Sequence, residues 1–248
     1  MTWPIIALLA VSTLVTSFIS GILGMAGGMI LMGVLLAILP VPIAMMMHGI
    51  TQLASNAWRA FMLRASVDWR IVRGYAIGSF AAMMLFALIQ IVASKPVALI
   101  MLGLMPFVAL VLPESLHLNV ERRGHSAACG VVCTGLSLVA GVSGPVLDVF
   151  FVRSKMGRHA VIATKAITQS LTHAMKIGYF GGIVVTAGAD FPALAAAMMV
   201  CLAFVGTQLS KRVLEKMNDG NFRLWTRVTV TVIGSVYLVS GAVLLLKN

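Results

Sequence analysis

Charge is scarce in this chain. Of its 248 residues only 10% are Asp, Glu, Lys or Arg, and only seven are acidic. A soluble domain carries about 25% charged residues. With 60% of residues hydrophobic and a mean hydropathy of +1.03, there is too little polar surface to coat a water-soluble fold, so lipid must cover it. No segment is long or polar enough to form a soluble domain. The three cysteines, Cys129, Cys133 and Cys201, sit in apolar stretches, and their odd number argues against a disulfide framework. No Gly-x-x-x-x-Gly-Lys-[Ser/Thr] run occurs, so the chain has no Walker motif with which to hydrolyse ATP. No Lys or Arg precedes the first apolar run, whereas a signal peptide needs a basic n-region, so Met1–Pro4 reads as a mature end that faces outward.

What is abundant is apolar length and positive charge. A membrane span needs about 20 mostly apolar residues, which gives room for roughly six to nine spans. The net charge of +11 comes from 18 Lys and Arg against seven acids. In a soluble protein that balance would point to nucleic acid. Here it is read as topology, because Lys and Arg collect in cytoplasmic loops. Attraction for an anionic solute is the second reading.

Apolar segments are expected near 4–22, 28–39, 43–63, 71–93, 96–112, 126–142, 144–152, 159–183, 191–209 and 225–246. The basic connections are 64–73, 121–125, 153–158 and 211–227. By the charge rule both 121–125 and 153–158 face the cytoplasm. The apolar stretch between them is too short for two crossings, which would take about 40 residues. A re-entrant hairpin of two half-helices solves the problem, with its bend at Gly141-Val142-Ser143-Gly144-Pro145. Glycine permits such a turn, and proline starts the second arm well. The first 39 residues have the same form, with a break at Gly24-Met25-Ala26-Gly27-Gly28. Tracing back from the basic loop 64–73 places that hairpin on the outer side.

An internal repeat supports this reading. A shift of 117 residues aligns Ser20 with Ser137, Gly24 with Gly141, Gly27 with Gly144, Ile50-Thr51-Gln52 with Ile167-Thr168-Gln169, and Ala57 with Ala174. Three crossings separate the two hairpins, and an odd number inverts orientation. The expected fold is therefore an all-α polytopic membrane protein of two inverted-topology repeats. Each repeat is a broken, re-entrant hairpin followed by about three transmembrane helices, an architecture common among secondary transporters. The first repeat is placed at 1–112, a cytoplasmic linker at 113–125 and the second repeat at 126–248.

The helix after each hairpin carries a polar stripe. The first reads His48, Thr51-Gln52, Ser55-Asn56, Arg59; the second reads Lys165, Thr168-Gln169, Thr172-His173, Lys176. At about 100° per residue each set stays on one face, which must look toward protein or a water-filled cavity rather than lipid. Gln52 is the tenth residue of its span and Gln169 the eleventh, which puts both near the midplane, where transporters of this type place substrate. The bland alternative is that such residues hold helices together by hydrogen bonds. Arg59, near a helix end, is read as snorkelling to the interface, and Lys165 is open to the same reading, but Lys176 lies deeper.

The hairpin bends add backbone N–H groups and positive dipole ends near Gly27–Gly28 and Gly144–Pro145, which suit an anion. Ser143 adds a hydroxyl. Tight helix packing is the competing account of these glycines. Asp148 is the one acid inside an apolar segment, where an ionisable residue is a functional candidate by default. It would pair with Lys165 or Lys176, or bind a proton or cation for coupling; a purely structural ion pair is an equal alternative. Leu31 occupies the aligned position in the first half.

With its two glycine bends, the polar helix after each and a length near 250 residues, the chain resembles the TauE/SafE family of sulfite and organosulfur anion exporters. Two departures from the family's glycine-rich motif stand out: Met29 follows Gly28, and Pro145 stands early in the second copy. The resemblance implies a multi-pass protein of the cell (inner) membrane that exports a small anion, sulfite or an organosulfonate, and needs no cofactor. The resulting expectation is alternating access. Thr51, Gln52, Asn56, Thr168, Gln169 and the hairpin N–H groups of Gly27, Gly28, Ser143 and Gly144 hold the anion. His173 and Lys176 supply positive charge, and Asp148 and Lys165 serve coupling. Homo-oligomerisation is an open possibility, and no nucleic-acid partner is expected.

Three other readings are weighed. A soft-metal transporter would use the 17 Met and the Cys129–Cys133 pair, but no third ligand accompanies that pair and packing explains it better. An intramembrane enzyme would need an activated nucleophile or a metal site, and His48 and His173 have no evident partner acid besides Asp148. A subunit or assembly factor without transport activity sits poorly with a polar stripe that recurs in both halves.

Overall fold

A computed structural model describes residues 2–23, 25–111, 118–214 and 219–247. Gly24 of the first glycine bend, residues 113–117 of the linker and 215–218 of the last basic connection lie outside the described residues. Among the described residues the chain forms ten α-helices, one short 3-10 turn and no strand. The helices are α1 (Trp3–Leu23), α2 (Met25–Ile38), α3 (Val41–Met62), α4 (Trp69–Ile89), α5 (Lys95–Val111), α6 (His125–Ala140), α7 (Gly144–Phe151), α8 (Arg158–Thr186), α9 (Ala193–Leu214) and α10 (Asp219–Leu246). These follow the ten apolar segments read from the sequence.

Local chemistry sets the boundaries. Pro42 stands in the first turn of α3, where its missing N–H costs nothing. The Asp68 carboxylate caps α4 by accepting from the N–H groups of Arg70 and Ile71 at 2.9 and 3.2 Å. Gly141 ends α6 at φ +82°, a left-handed conformation that favours glycine, and its N–H reaches Ser137 O. Pro145 then opens α7.

The two hairpins are unequal. Helix α7 has 8 residues, about 12 Å at 1.5 Å per residue, and cannot cross a bilayer. Helix α6 has 16 residues. Helix α1 has 21, about 31 Å, so the first arm of the first hairpin is a span-length helix and not a half-helix. The reason is that no break-forming residue pair interrupts Trp3–Leu23. Among the described residues four helices are both long and apolar enough to cross a membrane, namely α1, α4, α9 and α10. Helices α3 and α8 have the length, 22 and 29 residues, but carry the polar stripes.

The most extensive packing pairs are α1 with α9, α4 with α6, α3 with α8, and α5 with α10. Helices α4 and α6 run parallel: Gly74 lies beside Ser126, and Gly78 beside Ala127 and Val131. The approach is close enough that a Cβ on Gly130 would come within 2.9 Å of Ser79 N. Helices α3 and α8 run antiparallel, with Gly49 against His173 and Lys176 and Met46 against Gly181. This set of pairs returns to itself when α1–α5 are exchanged with α6–α10. Neither half closes on itself, because α1 packs on α9 and α4 on α6. Helix α2 lies in the centre with nine of its 14 residues buried. Exposed apolar side chains such as Ile77, Leu88, Val185 and Leu246 cover the periphery and present it to lipid. The chain is a polytopic helical membrane protein.

Candidate functional site

The polar stripes meet where α3 and α8 cross. His48, Thr51, Gln52, Ser55 and Asn56 on α3 are buried, as are Thr168, Thr172, His173 and Lys176 on α8. Lys176 is fully buried. Its ammonium donates to His48 Nδ1 at 2.7 Å and to the Gly141 carbonyl at 2.8 Å. The Gly28 carbonyl beside His48 Nε2 can only accept, so the ring proton sits on Nε2 and Nδ1 accepts from Lys176. Nε2 donates to the Gly28 carbonyl at 3.0 Å. One hydrogen-bonded chain thus runs from the bend of the second hairpin, through α8 and α3, to the first turn of α2. The His173 ring meets His48 edge-on at 5.6 Å, and its Nδ1 is buried with no partner among the described residues.

The hairpin tips touch. A Cβ on Gly144 would sit 2.7 Å from Met25 Cβ and 3.7 Å from Gln169 Nε2. A Cβ on Gly28 would sit 3.3 Å from Gln52 Nε2. Met25 and Gly28 are one helical turn apart, so the two carboxamides flank the same turn of α2. Ser143 stands at the N-cap of α7 and makes no side-chain capping bond. Among the described residues the side chains of Gln52, Gln169 and Ser143 make no hydrogen bond, and His173 Nδ1 has no partner.

Other candidates are spent locally. Thr51 donates to Met47 O, Thr168 to Lys165 O, and Asn56 Nδ2 to Gln52 O. Each satisfies a helix carbonyl within reach of its own backbone, and an anion needs donors. Gly27 faces away from the carboxamides: a Cβ there would meet Ser20 N of α1 at 2.6 Å, so this glycine serves close helix packing. Asp148 of α7 pairs with Lys165 of α8, not with Lys176, and both side chains are partly exposed at 38% and 26%. Cys129 and Cys133 are buried with sulfurs 3.8 Å apart. No group of three or more His, Cys, Asp or Glu positioned to hold a metal occurs among the described residues.

Two participants fell outside the candidate set. His48 belongs to the α3 stripe, and its position one turn before Gln52 was the available signal. Tyr75 bonds Thr172 through its hydroxyl at 2.6 Å, and nothing in the apolar run around it marks it out.

A family model described as sulfite exporter TauE/SafE matches residues 8–237, nearly the whole chain. The chain belongs to the TauE/SafE family. No individual curated protein and no solved structure matches it. Membership in this sulfite exporter family, with the apolar helices, makes the chain a multi-pass membrane transporter. Members of the family are transporters.

Proposed function

We propose that the chain moves sulfite or an organosulfonate across the cell (inner) membrane by alternating access, with the anion held at the crossing of α3 and α8. The observation that carries this reading is the pair of uncommitted carboxamides, Gln52 and Gln169, each set against a hairpin glycine beside the fully buried Lys176. Among the described residues no carboxylate touches the Lys176 side-chain nitrogen; a carbonyl and an imidazole nitrogen are its hydrogen-bond partners. Buried charge is stable only when balanced, and an anion supplies the missing partner. Gln52, Gln169, Ser143 and His173 would donate to its oxygens, joined by first-turn N–H groups of α7. Asn56 would add the second hydrogen of its amide, Thr51 and Thr168 would line the wall, and the Asp148–Lys165 pair would serve coupling.

In this reading residues 1–112 and 126–248 are inverted repeats joined by a cytoplasmic linker. The antiparallel contact of the equivalent helices α3 and α8, and the exchange symmetry of the packing pairs, favour it. The test is uptake of labelled sulfite by liposomes holding purified protein, wild type beside Gln52→Ala and Gln169→Ala. Loss of one hydrogen bond to a charged group costs about 1.5–3 kcal/mol, so each variant is expected to bind sulfite about 10- to 150-fold more weakly while eluting as the wild type does. Wild-type transport that survives both substitutions, or a wild type that carries no sulfite, would overturn the reading.

A further inference from the structure

A second basic site lies away from the α3–α8 crossing, where the parallel helices α4 and α6 both begin. A cavity of about 220 Å³ opens there, lined by Arg70, Arg122 and Arg123 together with Asp68, Glu121 and Ser126. Its two acids are already engaged with backbone. Asp68 accepts from the N–H groups of Arg70 and Ile71, and Glu121 accepts from Lys155 N–H at 2.7 Å. The three guanidinium groups make no ion pair or side-chain hydrogen bond among the described residues. Gly124 caps α6 without a side-chain bond, and among the described residues no backbone carbonyl takes the N–H of Ser126 or Ala127. Three positive charges against two negative leave one positive charge in the wall, with guanidinium forks and amide hydrogens as donors. That combination fits one phosphodiester, which carries a single negative charge.

The surroundings indicate where such a group comes from. Trp69 is exposed next to Arg70, in the manner of aromatic residues at a membrane–water boundary. From it an exposed apolar stripe of Ile77, Phe80, Met84 and Leu88 runs down one face of α4. An acyl chain lying on this stripe would bring its headgroup to the cavity mouth. The volume falls below the range of about 300–1,000 Å³ usual for whole-solute pockets, as suits a headgroup alone.

We propose that this cavity binds the phosphate headgroup of an anionic phospholipid whose acyl chains lie along α4. Basic pockets between transmembrane helices are suited to such headgroups. The site involves no residue of the α3–α8 crossing, so it stands or falls independently of the transported solute.

The test is native mass spectrometry of the full chain released from bilayers of equal phosphatidylglycerol and phosphatidylcholine, with no transport measurement in either arm. Wild type is expected to retain phosphatidylglycerol preferentially. Removing two surface charges in R122A/R123A is expected to lower that preference about 30-fold, at about 1 kcal/mol or fivefold for each charge. Lys95→Ala, outside the cavity, is expected to leave it unchanged. R122K/R123K keeps the charge but loses the forked donors, and is expected to fall between the two; it also serves if the alanine variant does not fold. Equal retention of both lipids by wild type, or unchanged preference in both double variants, would overturn the proposal. Displacement of the lipid by millimolar inorganic phosphate would assign the cavity to free phosphate and overturn the lipid assignment.

Discussion

Gly27 and Gly28 are neighbours in the sequence, yet alanine at each is expected to fail in a different way. At Gly27 the new Cβ would meet Ser20 N at 2.6 Å and Ser20 Cβ at 2.7 Å, and it also presses on the Thr16 carbonyl. Much of that contact is helix backbone, which cannot step aside without parting α1 from α2. Overpacking of this kind costs about 1–3 kcal/mol. For a chain of this size about 2 kcal/mol lowers the melting temperature by roughly 4–8 °C. At Gly28 the new Cβ would sit 3.3 Å from Gln52 Nε2, the far end of a flexible side chain. The amide gives way by a few tenths of an ångström and the fold survives, but Gln52 leaves the position from which it would donate to the anion. Loss of one hydrogen bond to a charged group costs about 1.5–3 kcal/mol, or about 10- to 150-fold in affinity. The assay pairs thermal melting by size-exclusion chromatography with sulfite uptake in liposomes. Gly27→Ala is expected to lose stability, and Gly28→Ala to lose transport at near wild-type stability. A reversed pattern, or equal melting losses, would refute the assignment of one glycine to packing and the other to the site.

Three further outcomes follow from the same geometry. Lys176→Met removes the donor shared by His48 Nδ1 and the Gly141 carbonyl, and each buried acceptor left unpaired costs about 1–3 kcal/mol, so melting should fall and sulfite uptake be lost, whereas uptake that survives would make Lys176 a structural strut alone. Gly141→Ala forces a side chain into the left-handed region at φ +82° and against the Met32 sulfur at 2.5 Å, so a loss of about 1–2 kcal/mol or more is expected in a denaturant titration. Asp148→Asn leaves Lys165 without its ion-pair partner; if the pair serves coupling, the pH or sodium dependence of uptake changes, and an unchanged dependence leaves it a structural pair.

Much of this arrangement was legible in the sequence because the bilayer limits what a chain can do. Apolar length fixed ten segments, and the observed helices follow them within a few residues. The stripes on α3 and α8 could be read as faces, since polar groups inside a membrane must turn inward. What could not be read was how each polar atom is used. Thr51 and Thr168 look like ligands in a stripe, but each hydroxyl reaches a carbonyl of its own helix first. Gly27 and Gly28 are indistinguishable as letters and differ by about 100° around α2, which sends one toward α1 and the other toward Gln52. The apolar segment at 4–22 matches α1, but symmetry with α6 invited its reading as a half-helix, and nothing in a repeat forces its two copies to keep equal arms.

The His48–Lys176 contact shows why pairwise inspection of the sequence stops short of the site. The two residues are 128 positions apart and on helices from different halves, and each alone is an ordinary polar member of a stripe. Together they connect the bend that ends α6 to the first turn of α2, so neither hairpin can move far from α3 and α8 without breaking a buried hydrogen bond. Alternating access requires such a link to have two arrangements. Under the proposed function, an anion beside Gln52 and Gln169 would bias it by giving Lys176 a negatively charged partner and making its bond to the Gly141 carbonyl easier to give up. The second hairpin, whose inner arm α7 is only 8 residues long and carries Asp148, is then the element expected to move first. Hydrogen exchange with and without sulfite would test that order. Protection changes confined to the α6–α7 bend are the expected result, and changes confined to the α1–α2 bend would reverse it.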